Sequence, residues 1–432
     1  MSIAITQGLG EVVQSANKSI FIVSGSLTSG SNYRYVADVK NDGGTTIARL
    51  KCDKVPTNDR GFFDVSKYIK TLVAPPKPSL SAGWQNPLVA SEYSVVFMEE
   101  YGSPPVVATG VTTTASGIVI PGYTRQYKDF VASGVYTSGD VAQPLTNRTN
   151  TKTVRIDQHD FISVLLNQNA GLVAMRADIT YPNRVFTVSG SVSNLSQMFN
   201  AGPAGLAAIT SGQTSDGLPG AAEFAGYSAL DRYAAWTAAC DAAGASGDAS
   251  AGCVTPLFQA FYEDISECGF TYTIEYIAQG AGDTFYRAKG ASVDSFTYTI
   301  DCCERFVDQL VYFRNALGGI DCFNFTLKNR KTGSVNKQTF GKNSDVYGTT
   351  TFESVYFADF TETWTLLSDY LVATDSEWLS ELVYSPEVYL LIDGELVEAV
   401  VDTNAYQFFQ KPQDDLVQLQ IDVRIAYKTE VI

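Results

Sequence analysis

The chain has a single histidine, His159, in 432 residues. One imidazole excludes the two-histidine zinc motifs and leaves any Ser-His-Asp arrangement resting on one residue. Methionine is scarce, at 4, and the 7 cysteines form an odd set without Cys-x-x-Cys spacing. That weakens a zinc ribbon and a disulfide framework alike. Reduced, mostly buried thiols are therefore expected at Cys52, Cys240, Cys253, Cys268, Cys302, Cys303 and Cys322. The alternative is a bridge between Cys240 and Cys253, which bracket a Gly/Ala/Ser stretch. No apolar run approaches the ~18–20 residues of a membrane-spanning helix. The stretch MSIAITQGLGEVVQSANKSIF also lacks the basic start and continuous apolar segment of a secretory signal. A soluble product made in a cytoplasm, with no membrane span, is the expectation.

Phosphate-cradling loops are missing too. Gly318-Gly319 has no GxGxxG frame, and Gly341-Lys342 has no Walker glycine at the required distance. Calcium loops of the DxDxDG type do not occur. No cofactor or metal is expected. Positive charge is in short supply, with 30 Lys and Arg against 46 Asp and Glu, a formal net charge of -16 and a pI near 4.5. Such a balance opposes general nucleic-acid binding, because neutralising phosphates requires a positive field at the contact.

What the chain does have is core material. Hydrophobic residues make up 45%, and the 24 Tyr and 24 Phe favour strands, since aromatics suit a pleated, half-buried surface. The length exceeds the ~250–300 residues at which one core stops growing, so several domains are expected. The fold class read from this is mainly β, with two or more antiparallel β-sandwich or barrel-like domains and an Ala/Gly-rich helical insertion. The expected division is residues 1–195, 196–262 and 263–432.

Local patterns fill in that frame. SIFIVSGS, NYRYVADV and TTIARLKC alternate as strands, and Asn41-Asp42-Gly43-Gly44 joins the last two as a hairpin turn. GFFDVSKYIKTLV has room for one helical turn before Pro75 and Pro76. EYSVVFMEEY, PPVVATGV, GIVIPGY, TVRIDQHDFISVLL and VFTVSGSV continue the first β region. Ala, Gly and Ser dominate residues 201–253, where SALDRYAAWTAACDAAG predicts a helix. FTYTIEYIAQ, DTFYRAKG and DSFTYTIDCC then resume the alternation. Thr374-x-x-Glu377 predicts a capping box for a helix over 375–384 with Trp378, Leu379, Leu382 and Val383 on one face. VYLLI and ELVEAVV flank Asp393-Gly394, a tight hairpin, and LVQLQIDVRIAYK is a strand of strict alternation.

Candidates for chemistry are few. DQHD (157–160) groups two carboxylates with the histidine but falls in an alternating strand pattern, where a solvated rim is the ordinary reading. Glu99-Glu100 suits a β-scaffold glycosidase only if paired carboxylates stand ~5–9 Å apart. Of Trp84, Trp236, Trp364 and Trp378, at least three read as structural. No catalytic residue is nominated.

Residues 310–342 carry six Lys or Arg against one Asp. IDCFNFTLK alternates, with Phe323, Phe325 and Leu327 on one face; Arg330-Lys331-Thr332-Gly333 reads as a turn, and SVNKQTF as the returning strand. Basic residues at a turn and edge discourage unwanted pairing, or else face a partner. Arg314, Lys328, Arg330, Lys331 and Lys337 are the candidate subunit-contact patch.

The succession LVYFRNALGGIDCFNF, KQTFGK and WLSELVYSPEVYLLIDG, together with YRYVADVKNDGGTTIARLKCDKVPTNDRGFFDVSKYI, resembles a pattern in structural proteins encoded among the tail genes of tailed bacteriophages. The resemblance covers both β regions and stops short of residues 201–253. It implies a non-enzymatic virion component, present in several copies on the tail or distal tail, whose partners are copies of itself and other virion proteins. The competing expectation is a carbohydrate-binding receptor-recognition module or glycan depolymerase acting on a host-surface glycan. A head- or neck-associated virion protein is the third.

Overall fold

The computed structural model describes residues 3–10, 12–25, 30–73, 77–80, 84–85, 91–123, 142–166, 173–179, 181–186, 196–204, 271–278, 292–301, 308–341, 353–402, 416–427 and 429–431. Among them the chain is mainly β, built from several largely antiparallel sheets with little helix. It divides into two compact units. The first comprises Met1–Thr146, Asn150–Asp301 and Ala316–Ile320; the second comprises Asn147–Thr149, Cys302–Asn315 and Asp321–Ile432.

In the first unit, alternating apolar residues decide which strand faces become core. Ser91–Tyr101 buries Tyr93, Val95 and Phe97, and Arg34–Asn41 buries Tyr35, Ala37 and Val39. These two are the middle of a five-stranded sheet in the order Val12–Gln14, Val106–Ile120, Ser91–Tyr101, Arg34–Asn41, Thr46–Asp53. A three-stranded sheet of Ala4–Gln7, Ile20–Ser24 and Arg60–Asp64 packs against it through Phe21 and Phe63, whose rings lie 5.2 and 5.7 Å from that of Phe97. Two sheets sharing one aromatic core make a sandwich. The Asn41 hairpin forms as its sequence predicts: Thr45 N–H donates to Asn41 Oδ1 at 2.9 Å, and Gly44 takes a φ of 72°. The helical turn is there as well, at Ser66–Ile69 with Ile69 buried.

Two further sheets complete this unit. One runs Ala142–Pro144, Phe161–Leu166, Ser196–Asn200, Trp84–Gln85; the other runs Thr151–Val154, Ser292–Ile300, Thr271–Ala278, Val173–Ile179, Tyr181–Phe186. The expected boundary at residue 263 differs from this pairing. Thr271–Ala278 pairs with Val173–Ile179, and Ser292–Ile300 pairs in parallel with Thr151–Val154. Alternation identifies a strand and one buried face, but not its neighbour across some hundred residues of chain. The helix predicted near Ser228 and the pair Cys240 and Cys253 lie outside the described residues; Cys52 is a half-buried thiol and Cys322 is buried.

The Gly318-Gly319 corner is sterically enforced. Gly318 has a φ of 93°, and a Cβ there would stand 2.0 Å from the Pro121 carbonyl oxygen. No L side chain fits that space.

The second unit is one eight-stranded sheet. Its path is Ile320–Phe325, Gln309–Arg314, Val388–Ile392, Glu395–Val401, Leu416–Ile425, Glu353–Val372, Arg330–Gly341, with Thr429–Val431 also beside Glu353–Val372. The helix Ala373–Val383 covers its core: Trp378, Leu379 and Leu382 bury against Phe313, Phe325, Leu366, Leu390 and Ile421. The helix and its apolar face are as predicted, whereas the capping box is not. Glu353–Val372 runs straight into the helix, so Val372 takes the N-cap position and no side chain caps it. Acids on the helix find other donors, Thr149 Oγ1 to Asp375 and Asn147 Nδ2 to Glu381, both at 2.8 Å. Asp393-Gly394 makes its hairpin with φ of 51° and 81°, the left-handed pair such two-residue turns require.

Trp378 brings a polar contact into this core patch. Its indole Nε1 donates to buried Asp321 at 2.8 Å. Trp378→Phe keeps most of the packing but takes the indole donor away from that buried carboxylate, so a loss of about 1–3 kcal/mol is expected in a denaturant titration. Trp378→Leu with Asp321→Leu should recover part of it.

Candidate functional site

Arg314 stands apart from the rest of the nominated basic patch. It ends the strand Gln309–Arg314 at 1% exposure, and its Nε and Nη2 both donate to Glu387 Oε2, at 2.9 and 2.8 Å. A guanidinium so enclosed is a structural tie, and it leaves the patch. Tyr389, on the neighbouring strand, has its phenol pushed up to about 12 by burial, with Glu387 adding to the effect. The other four residues, Lys328, Arg330, Lys331 and Lys337, are exposed.

The strands around those four differ from the sequence expectation. Ile320–Phe325 ends at Phe325, whose ring packs edge-on to Phe323 at 5.0 Å; Leu327 lies beyond it. Arg330-Lys331-Thr332-Gly333 is not a turn. It opens a strand, Arg330–Gly341, whose twelve residues are all exposed. Its partner is Glu353–Val372, in antiparallel register from Arg330 opposite Thr365 to Gly341 opposite Glu353. Residues 342–352, between the two strands, lie outside the described residues. Gly333 suggested a turn by composition; here it makes room for the Phe360 ring, which a Cβ would meet at 2.5 Å.

The result is a long two-stranded arm at the margin of the sheet. On the inner half of Glu353–Val372, residues 363–372 pair with Leu416–Ile425 on the other side; farther out, among the described residues, Thr429–Val431 flanks residues 358–360. Apolar side chains stay in water along the arm: Val335 is 53% exposed and Phe340 47%, with Val355, Tyr356 and Phe360 exposed on the partner strand. Near the base, Glu362 Oε1 accepts from both Lys331 Nζ and Trp364 Nε1 at 2.6 Å, and Lys331 Nζ lies 4.9 Å from the Trp364 ring centroid. An exposed pair of this kind contributes at most ~1 kcal/mol, so its effect is to orient these side chains. The signal for the arm was in the sequence, as two alternating runs, SVNKQTF and SVYFADFTETW, around a Gly/Asn/Ser/Asp stretch.

The histidine cluster is positioned by a different device. DQHD lies in the turn between Thr151–Val154 and Phe161–Leu166, not in a strand, because residues 155–160 fold back on themselves, with Gln158 N–H donating to Arg155 O at 3.1 Å. Asp160 is fully buried; Lys152 Nζ lies 2.6 Å from its Oδ1 and Tyr298 OH donates to its Oδ2 at 2.8 Å. Lys152 and Tyr298 sit directly opposite on the parallel strands, so the register itself builds the site. Asn200 Nδ2 lies 2.8 Å from His159 Nδ1. Burial holds the His159 imidazole below its ordinary range, opposed by the Asn200 bond and Asp157. Asp157 points to water, with Arg155 Nε 3.8 Å away. With both Asp160 oxygens engaged, this arrangement clamps a turn.

Glu99 and Glu100 are both buried, and they face opposite sides of their strand. Tyr33 OH donates to Glu99 Oε1 at 2.8 Å; Lys51 Nζ lies 2.8 Å from Glu100 Oε1. Burial, with Tyr35 and Glu99 alongside, raises the Tyr33 phenol. Two carboxylates divided by their own sheet cannot flank one glycosidic bond. Among the described residues no group of three His, Cys, Asp or Glu is placed to hold a metal ion, and no helix is long and apolar enough to cross a membrane.

No family model matches this chain, and neither does any curated protein.

Two outcomes follow from the clamp. Asp160→Asn takes the Asp160 charge away from Lys152 in a buried setting and should cost about 3 kcal/mol in a denaturant titration. For His159, the unfolded chain takes up the proton before the folded one as pH falls. Its contribution to stability is thus complete above about pH 6.5 and is lost as pH drops through the lowered folded value. His159→Gln should flatten the fall in unfolding midpoint between about pH 7.5 and about pH 5.5.

Proposed function

We propose that the chain is a non-enzymatic structural protein of a tailed-phage virion, present in several copies on the tail or its distal end. The observation that carries this reading is the arm formed by Arg330–Gly341 and Glu353–Val372, with apolar side chains held in water along a strand whose twelve residues are all exposed. A free-standing monomer gains nothing from such a surface, whereas a subunit that closes against neighbours buries it on assembly. The buried polar groups described above point the same way: Asp160, Arg314 and Asp321 are each engaged with a fixed partner inside the fold. The likeness to tail structural proteins in LVYFRNALGGIDCFNF and WLSELVYSPEVYLLIDG supplies the virion context. Within that reading, exposed Lys328, Arg330 and Lys337 set register against acidic surface on an adjoining subunit, which charge does better than it supplies affinity.

A glycan-binding module is the second reading. It is favoured by one feature, the exposed pair Phe340 and Tyr356 with ring centroids 6.1 Å apart. Their planes are inclined by 58°, so they offer two separate stacking faces rather than one platform.

Mass spectrometry of purified particles carrying the gene should find the chain in multiple stoichiometric copies. Arg330→Glu with Lys337→Glu should lower its incorporation by about tenfold, equivalent to about 1.4 kcal/mol, while circular dichroism of the free subunit stays unchanged. Absence of the chain from particles, together with binding on a glycan array, would replace the assembly reading with the second.

A further inference from the structure

The arm presents an open edge as well as exposed faces. Arg330–Gly341 is the outermost strand of its sheet, and among the described residues only Glu353–Val372 pairs with it. Twelve residues of antiparallel strand span roughly 40 Å, and every second one directs its backbone N–H and C=O away from the sheet. Residues 330–338 keep regular register with their partner; the first shift comes between Gln338 and Thr339. A long, regular edge of this kind is a template for another strand.

Charge selects which strand. Residues 330–341 contribute Arg330, Lys331 and Lys337, and residues 353–365 contribute Glu353, Asp359 and Glu362, so three positive minus three negative charges leave the arm neutral in a chain of net charge -16. Two copies of so acidic a chain repel over most of their surface and least where their arms meet. We propose that this edge pairs with the same edge of a second copy, antiparallel about a two-fold axis through Val335, joining two arms into one four-stranded ribbon. The inference rests on the assembly reading and names a partner and register for it.

The register follows from symmetry. A two-fold axis that extends a sheet lies perpendicular to it, so the central residue faces its own copy. With Val335 at the centre, Lys331 faces Thr339, Gly333 faces Lys337, Arg330 faces Phe340, and no like charges are opposed. Centring on Ser334 sets Lys331 against Lys337, and centring on Lys337 sets lysine against lysine. Like charges directly opposite destabilise a ladder. Centring on Asn336 avoids that clash but places an amide where Val335 offers an apolar contact. Phe360, opposite Val335 within the chain, shares its face, so the axis gathers Val335 and Phe360 from both copies into one stripe.

Sedimentation equilibrium of the purified full chain should show a dimer. Val335→Lys puts two ammonium groups on the axis and should weaken it by about tenfold or more, whereas Val335→Ile should preserve it. Val335→Cys should give a disulfide-linked dimer on oxidation, while Thr332→Cys, which faces residue 338, should not exceed the wild-type background. Because Val335 is 53% exposed, these variants keep the fold, and circular dichroism checks it. A wild-type chain that stays monomeric at every concentration, or a Val335→Lys chain that associates like wild type, overturns the pairing; equal cross-linking of Thr332→Cys overturns the register. Failure here with the chain still present in particles rejects the edge contact alone. A dimer that forms by these rules from a chain absent from particles rejects the virion reading alone.

Discussion

The second unit depends on one strand that is longer than its core. Glu353–Val372 has twenty residues, and its C-terminal part, paired with Leu416–Ile425, buries Leu366 and Leu371 before leading directly into the Ala373–Val383 helix. A strand pinned at one end by buried leucines and extended by a hairpin partner has nowhere to go but outward. The exposed arm is thus a consequence of the same pairing that builds the hydrophobic core, and its base is fixed by the Glu362, Lys331 and Trp364 contacts. The absent N-terminal side-chain cap has the same origin, since no loop intervenes between strand and helix to supply one.

Buried polar groups do a different job in each unit. In the first, Asp160 draws Lys152 and Tyr298 from two parallel strands and anchors the turn that carries His159. In the second, Arg314 with Glu387 and Trp378 with Asp321 hold strand ends and helix to the sheet. Removing one member of such a set leaves a buried charge or acceptor without compensation, which costs far more than the pair contributes. These groups confer a single arrangement on sheets whose apolar alternation alone would tolerate register slips.

Much of the local structure was legible. Gly44, Asp393 and Gly394 mark turns because few other residues accept left-handed backbone, and Trp378, Leu379 and Leu382 mark a helix face by their spacing. The basic stretch was only half legible. Lys328, Arg330, Lys331 and Lys337 are exposed as expected, but Arg314 is buried because Glu387, more than seventy positions away, meets it across the sheet. DQHD read as strand because of the alternation around it, whereas the Gln158 N–H closes a turn onto Arg155 O there and Asp160 ties that turn to Tyr298.

The sequence by itself determined the β class, the tight hairpins, the helix expected over residues 375–384 and the lack of a nucleotide frame, all of which depend on residues within a few positions of one another. Tertiary structure alone decided which strands are neighbours: Thr271–Ala278 with Val173–Ile179, and Arg330–Gly341 with Glu353–Val372 rather than with the IDCFNF arm. The physical reason is that a strand's pattern specifies which face it buries, while its backbone groups pair equally well with any strand in register. Long-range packing makes that choice, and with it decides that the basic edge is left open.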